Sequence, residues 1–310
     1  MSALLSFESW RVEVASGAIL RSVSLSIEAG EAVGLVGESG SGKSMTARSV
    51  LGMVPRGATV SGSVRFRGKE IGRLDATGLR RLRSRDVAMV FQDPRATVNP
   101  VRTVGDFLIE VLRERGVSRS AALGTVTRIL TEVGVDNVPK RLKQRPFELS
   151  GGLLQRVVIA AALAGEPALI LADEPTTALD VTTQEEVVAI LDEQRRLRGT
   201  ALLFITHDLE LATAVCDRIA VMYAGEIVEI RPAGRLHEDA RHPYTKALLA
   251  ARPGSVATGE RLRTVPGVPQ SGIDAPPGCV FADRCPVAET TCREVIPPMR
   301  DGVACHLAVA

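Results

Sequence analysis

Gly37-Glu38-Ser39-Gly40-Ser41-Gly42-Lys43-Ser44 decides the fold of this 310-residue chain. The octapeptide satisfies G-x-x-x-x-G-K-[ST]. The apolar run Glu31-Ala32-Val33-Gly34-Leu35-Val36 precedes it and reads as a buried strand, while Met45 to Met53 reads as a following helix. Glycines at 37, 40 and 42 let the backbone curl until successive N–H groups and the helix N-terminus face one anionic centre, where a nucleotide's phosphates sit. Lys43 adds a point charge at the β- and γ-phosphates, and the Ser44 hydroxyl is placed to ligate Mg²⁺.

Outward from that loop, strands and helices alternate. Leu20 to Ile27, Val60 to Gly68, Val87 to Phe91, Ala168 to Ala172, Ala201 to Thr206 and a pair near Arg218 to Ile230 read as strands. Helices are expected from Ser118 to Val133, Leu153 to Ala164, Thr182 to Leu197 and Leu209 to Cys216. Val104, Phe107, Leu108, Val111 and Leu112 share one helical face, so Val101 to about Arg145 reads as an inserted helical region. The alternation predicts an α/β fold with a mostly parallel sheet covered on both faces. Beyond Arg252 the pattern changes: Gly, Pro and four of the five cysteines crowd a segment without a periodic core.

Bulk composition narrows the classes. Lysine and arginine total 38 against 36 acidic residues, a net charge of +2 that gives no electrostatic case for nucleic acid. The first ten residues carry no basic segment followed by an apolar core, so the chain is expected to stay in the cytosol. The longest apolar run, Val157 to Ala172, is interrupted by Glu166-Pro167 and is too short to cross a bilayer.

Further motifs carry the chemistry. Ala168-Leu169-Ile170-Leu171-Ala172-Asp173-Glu174-Pro175 is an apolar strand that delivers two carboxylates at its C-terminal end, the edge where open α/β sheets bind ligands. Asp173 is suited to hold Mg²⁺ through water, and Glu174 to polarise the water that attacks a γ-phosphate. Leu149-Ser150-Gly151-Gly152-Leu153-Leu154-Gln155-Arg156 puts a serine and two glycines at the mouth of a helix, a second anion-binding corner that suggests two chains sharing nucleotides.

With both corners in hand, the chain resembles the ATP-binding subunit of an ABC transporter over Met1 to about Arg252. The resemblance implies a P-loop ABC ATPase fold: a RecA-like parallel core, an antiparallel β subdomain and an inserted helical subdomain at about 100–155. It implies ATP and Mg²⁺ as cofactors, with Ser150, Gly151 and Gly152 as the signature. Gln92, in Val90-Phe91-Gln92-Asp93-Pro94, resembles the glutamine that touches Mg²⁺ and the attacking water. Asp180, in Ala178-Leu179-Asp180, resembles the residue that communicates across the dimer, and His207 the histidine at the γ-phosphate. The family stacks adenine on an aromatic residue; here the aligned position is Val14. Trp10 and Phe7 lie nearby, and strand alternation predicts that at least one of them faces the core, so the platform is unassigned.

Cys279, Cys285, Cys292 and Cys305, spaced C-x5-C-x6-C-x12-C, admit two readings, a structural metal or iron–sulfur site and a set of buried or free thiols. A reducing cytosol disfavours disulfides. Cys216 shares an apolar face with Leu209, Ala212 and Val215 and is expected to be buried. Gly278-Cys279-Val280-Phe281 to Arg284-Cys285-Pro286, Val303-Ala304-Cys305-His306-Leu307 and His242-Pro243-Tyr244-Thr245 resemble the C-terminal extension of oligopeptide, dipeptide and nickel importer ATPases, here 253–310. In some relatives those cysteines hold a [4Fe–4S] cluster; zinc is the second choice, with His306 a substitute ligand.

The resemblance implies an ATPase subunit at the cytoplasmic face of the inner membrane. It would pair with a second identical or homologous ATPase subunit in a nucleotide sandwich, dock on two permease subunits, and import a peptide or related solute handed over by an extracytoplasmic binding protein. The rival readings are a nickel importer subunit, a soluble ABC ATPase of translation or DNA repair, and a nucleotide-binding module without turnover. One cassette and a short insertion disfavour the soluble enzyme, and the presence of Glu174 and His207 disfavours the inert module.

Overall fold

The computed structural model describes residues 3–177, 179–251 and 264–308. The expected boundary at 252/253 and Ala178 lie outside the described residues. The strands are β1 (Leu5–Val14), β2 (Gly17–Ile27), β3 (Ala32–Val36), β4 (Thr59–Phe66), β5 (Lys69–Glu70), β6 (Val87–Val90), β7 (Leu169–Asp173), β8 (Ala201–Thr206), β9 (Arg218–Tyr223) and β10 (Glu226–Pro232). The chain divides into two compact units, one of Met1–Ile27, Val33–Gly72 and Thr206–Ala310, the other of Glu28–Ala32 and Arg73–Ile205.

In the first unit the strands run in the order β5-β4-β1-β2-β10-β9-β3. β1 pairs antiparallel with β2 and β4, while β3 and β9 are parallel over Val33–Val36 and Arg218–Val221. β1 is a strand that alternation hides. Its register shifts between Phe7 and Trp10, and Ser9 takes a positive φ of 47°. The irregularity turns both rings to the same side, so Phe7 and Trp10 are 3% and 6% exposed and neither offers a free face to a base. Trp10 is fixed further by its indole N–H, which donates to Ser49 Oγ at 3.0 Å.

The second unit holds the parallel strands β8-β7-β6, of which β7 and β8 are wholly buried and β6 is buried at its two ends. Both faces of such a strand are covered, which is why its sequence reads as a continuous apolar run. The inserted region forms helices Val104–Leu108, Glu110–Glu114, Arg119–Glu132 and Val138–Arg141. The shared apolar face is real, with Val104, Leu108 and Leu112 buried and Phe107 and Val111 half-buried. The helix they lie on breaks at Ile109, which caps both pieces.

Helix Gly151–Ala164 begins two residues before its expected start, because Ser150 supplies the N-cap and accepts from Leu153 N–H. Helix Lys43–Val50 ends before its expected end at Met53, where Gly52 turns the chain with φ 64°.

Candidate nucleotide site

The first unit carries the phosphate loop. β3 ends at Val36, and two glycines then do what no other residue could. A Cβ on Gly37 would stand 2.1 Å from the carbonyl oxygen of Met222, and Gly42 takes φ 105° as the N-cap of helix Lys43–Val50. The loop thus lies flat against the end of β9 and delivers its N–H groups to the helix mouth. The Lys43 ammonium, 5% exposed, reaches the carbonyls of Gly37 and Glu38 at 2.8 and 2.9 Å and so is held over the loop. Ser39 and Gly40 form its exposed tip, Ser41 is buried beneath it, and Ser44 is the second residue of the helix. The first unit resumes at Thr206, the last residue of β8, and His207 follows it, exposed, before Asp208 caps helix Leu209–Val215.

The second unit carries the two carboxylates of the acidic strand end. Asp173 ends β7 and is 2% exposed. Glu174 follows with φ 46°, a left-handed conformation that costs about 1 kcal/mol in a residue with a Cβ. Its N–H donates to Ile205 O at 2.9 Å, which holds the strained backbone. Its carboxylate is held as well: Oε2 accepts from Thr177 Oγ1 at 2.8 Å and from Gln92 Nε2 at 3.2 Å. Gln92 and Glu174 are therefore one hydrogen-bonded pair, reached from two strand ends, and the Glu174 carboxylate is held in one orientation. Thr177 lies in a stretch, Thr176 to Thr182, that resembles the importer ATPases, but nothing in the sequence assigns this threonine a hydrogen bond to Glu174.

The signature and Asp180 are also brought together within this unit. A Cβ on Gly152 would lie 2.6 Å from Thr183 Cγ2, and one on Gly151 would lie 3.5 Å from Leu179 Cδ2. Asp180 caps helix Val181–Arg198, accepting from Thr183 N–H at 3.1 Å and Thr183 Oγ1 at 2.8 Å. Those bonds hold the Asp180 carboxyl below its ordinary range. Ser44 in the first unit, and Gln92 and Asp173 in the second, each carry an oxygen of the kind a hard cation takes.

A profile of the ABC transporter family matches residues 20–177, and one described as the C-terminal region of oligopeptide/dipeptide transporters matches 228–292. The chain belongs to the ATP-binding subunits of ABC transporters. It is 42% identical to the oligopeptide transport ATP-binding protein OppD of Escherichia coli over 90% of this chain and 83% of that one. It is 42% identical to the dipeptide transport ATP-binding protein DppD of Bacillus subtilis over 90% of this chain and 84% of that one. Among solved structures it resembles the dimeric post-hydrolysis state of the ATP-binding cassette MJ0796 bound to ADP and Pi, with a TM-score of 0.66, 27% identity and coverage of 74% of this chain and 98% of that one. As a member of this family the chain is an ATPase coupled to transport.

The C-terminal part of this ABC ATPase belongs to the same unit as the phosphate loop. Phe281, 1% exposed, packs edge-on to Tyr223 with ring centroids 5.2 Å apart, and lies 5.2 Å from Tyr244 and 5.9 Å from His242. Val303 bridges to Glu229 of β10, and Ala304 N–H donates to Val228 O. The segment thus has an apolar core that its sequence pattern concealed: Val280, Phe281 and Ala282 are buried, and the Phe281 ring packs against Tyr223 of β9 and Tyr244 of helix Pro243–Ala250. Burial raises the Cys279 thiol to about 11 and also raises Cys285, with the neighbouring thiols adding to both shifts. The four thiols are near enough to feel one another's charge, and they suit an iron–sulfur or zinc site in kind and number. Their arrangement does not: among the described residues no group of three or more His, Cys, Asp or Glu could hold a metal ion. Cys216 is buried, as its apolar face predicts.

Proposed function

We propose that this subunit hydrolyses ATP to power import of peptides through two membrane permease subunits, in a nucleotide-sandwich dimer with an identical or homologous ATPase. The observation that carries the hydrolytic part is the Glu174 carboxylate held by Gln92 and Thr177 at the end of an apolar strand. Glu174 takes a proton from water as the water oxygen bonds to the γ-phosphorus and the bond to the leaving β-phosphate oxygen breaks. Lys43 and the loop amides stabilise the phosphate charge. His207 orients the γ-phosphate, and the partner's signature serine and glycines close the site. Peptides are favoured as cargo by the relatives' names and by the match to the oligopeptide/dipeptide C-terminal region. Nickel is the second reading, since solute specificity lies in other chains.

Docking on the permeases is supported by a cleft of about 480 Å³ in the second unit, lined by Phe107, Leu108, Val111 and Ala161 together with Arg80, Arg83, Glu110 and Glu114. Such a mixed apolar and charged lining fits an amphipathic helix. No helix among the described residues is long and apolar enough to cross a membrane; peripheral attachment at the cytoplasmic face is proposed from the relatives' role as ATP-binding subunits. The proposed organisation is an ATPase domain over 1–252, with a helical insertion at about 100–155, and an extension over 253–310.

Reconstitution in vesicles with permeases and binding protein tests this reading. Peptide-loaded binding protein should stimulate hydrolysis and nickel should not. Full activity from a dilute, isolated monomer would sink the sandwich. For the cysteines we propose a [4Fe–4S] cluster, with zinc second, from the donor set and against the arrangement described above, so that the thiols must shift to bind it. Anaerobically purified protein should then carry about four iron atoms per chain. Protein with neither iron nor zinc reduces the cysteines to packing thiols.

A further inference from the structure

Arg284 stands one residue before Cys285, and its guanidinium reaches the phosphate loop. Nη1 donates to Glu38 Oε2 at 2.6 Å and Nη2 to Glu38 Oε1 at 3.1 Å, a two-pronged pair. Nη1 also donates to the Tyr223 hydroxyl at 3.1 Å and Nε to Pro266 O at 2.5 Å. The rings of Tyr223 and Phe281 lie 5.5 and 5.9 Å from the guanidinium carbon. The Arg284 side chain is 4% exposed and that of Glu38 20%. Glu38 is tied at its backbone too, where its N–H donates to the Tyr244 hydroxyl at 2.9 Å and its carbonyl accepts from Lys43 Nζ at 2.9 Å. All of these residues lie in one compact unit.

Glu38 is an odd residue for its place, because a loop that gathers N–H groups and an ammonium for phosphates also carries a carboxylate. Left unpaired, that charge opposes every incoming phosphate oxygen. We propose that Arg284 is a positioning residue for nucleotide binding, neutralising Glu38 and holding it in a fixed pair, so that the cysteine-bearing segment sets the affinity of the phosphate loop for ATP. Arg284 touches neither substrate nor reacting atoms in this reading; it acts through Glu38. Because the clamp adjoins Cys285, whatever keeps the segment folded also keeps the loop charge-balanced.

Removing one member of a buried pair leaves an uncompensated charge, whereas removing both does not, and this gives the test. On the full chain assembled with its permeases, Arg284→Met should raise KM for ATP about tenfold with little change in kcat. The added penalty should shrink at high salt, which screens the exposed carboxylate. Arg284→Lys, which keeps the charge and loses the fork, should lie between wild type and Arg284→Met. The double variant Arg284→Met with Glu38→Gln should recover most of the lost affinity. A merely structural anchor predicts the reverse, a double variant no better than Arg284→Met, and that outcome overturns the proposal. A fall in kcat at unchanged KM overturns it as well. Should Arg284→Met fail to assemble, Arg284→Lys carries the comparison alone, and a wild-type KM for it together with a salt-independent KM would refute the clamp.

Discussion

The phosphate loop and the cysteine-bearing segment occupy the same compact unit, and both are short runs punctuated by glycine, yet they hold their shapes differently. In Gly37 to Ser44 the determinants lie within the octapeptide: a glycine that lets the chain press on Met222 O, another at φ 105°, and a lysine folded back on the loop's own carbonyls. In Cys279 to Cys305 little is local. The anchors are rings from β9 and from helix Pro243–Ala250, a bridge to β10 and the ion pair to Glu38. A loop that must present amides to a ligand has its geometry written in consecutive residues; a segment that only has to pack can borrow its core from elsewhere in the chain.

The sharpest way to break this comparison starts with the local machinery. Lys43→Ala should abolish tight ATP binding. Glu174→Gln should keep binding but lower turnover at least about a hundredfold, the scale of a lost general base. Nucleotide binding and single-turnover hydrolysis on the assembled transporter separate the two, and undiminished hydrolysis by Glu174→Gln would remove that residue from the mechanism. The borrowed core comes next. Phe281→Ala should cost about 3–5 kcal/mol, as for other buried aromatics, and should raise amide exchange across 279–304 far more than across β6 to β8. Denaturant unfolding with exchange mass spectrometry reads both, and a uniform rise across the chain would mean that the segment has no core of its own to lose.

The smallest effect concerns His242. Its Nδ1 accepts from Tyr244 N–H, its ring lies against Phe281, and Glu229 accepts from its backbone N–H. Burial lowers its pKa from 6.5 to about 3. Above pH 6.5 folded and unfolded chains both hold it neutral. As pH falls below 6.5 the unfolded chain takes up the proton first, so stability is lost, at a slope approaching about 1.4 kcal/mol per pH unit for this one group. In His242→Gln that slope should flatten between pH 6.5 and 5, where most carboxylates are still ionised, and an unchanged slope would show that the ring is hydrated.

Several features of the candidate site are legible in the sequence because each is a local motif: the glycine loop before helix Lys43–Val50, the Asp173-Glu174 strand end, the Ser150 cap before Gly151 and Gly152, and Asp180 before a long helix. β1 was not, since a register shift at Ser9 turns Phe7 and Trp10 to the same side and defeats a period of two. The break at Ile109 escaped because an apolar stripe continues across two short helices as readily as along one.

What the sequence determines on its own is local: the glycine loop that runs into a helix mouth, the two carboxylates at a strand end and the serine cap before two glycines, because backbone curvature, charge and capping act over a few residues. Tertiary structure alone decided what surrounds them. It joined Gln92 and Thr177 to one oxygen of Glu174, set Gly152 against Thr183, and gave the cysteine segment an aromatic core. It also paired Arg284 with Glu38, two residues 246 positions apart, because a buried guanidinium and a carboxylate each need a partner and no propensity along the chain says which one they will find.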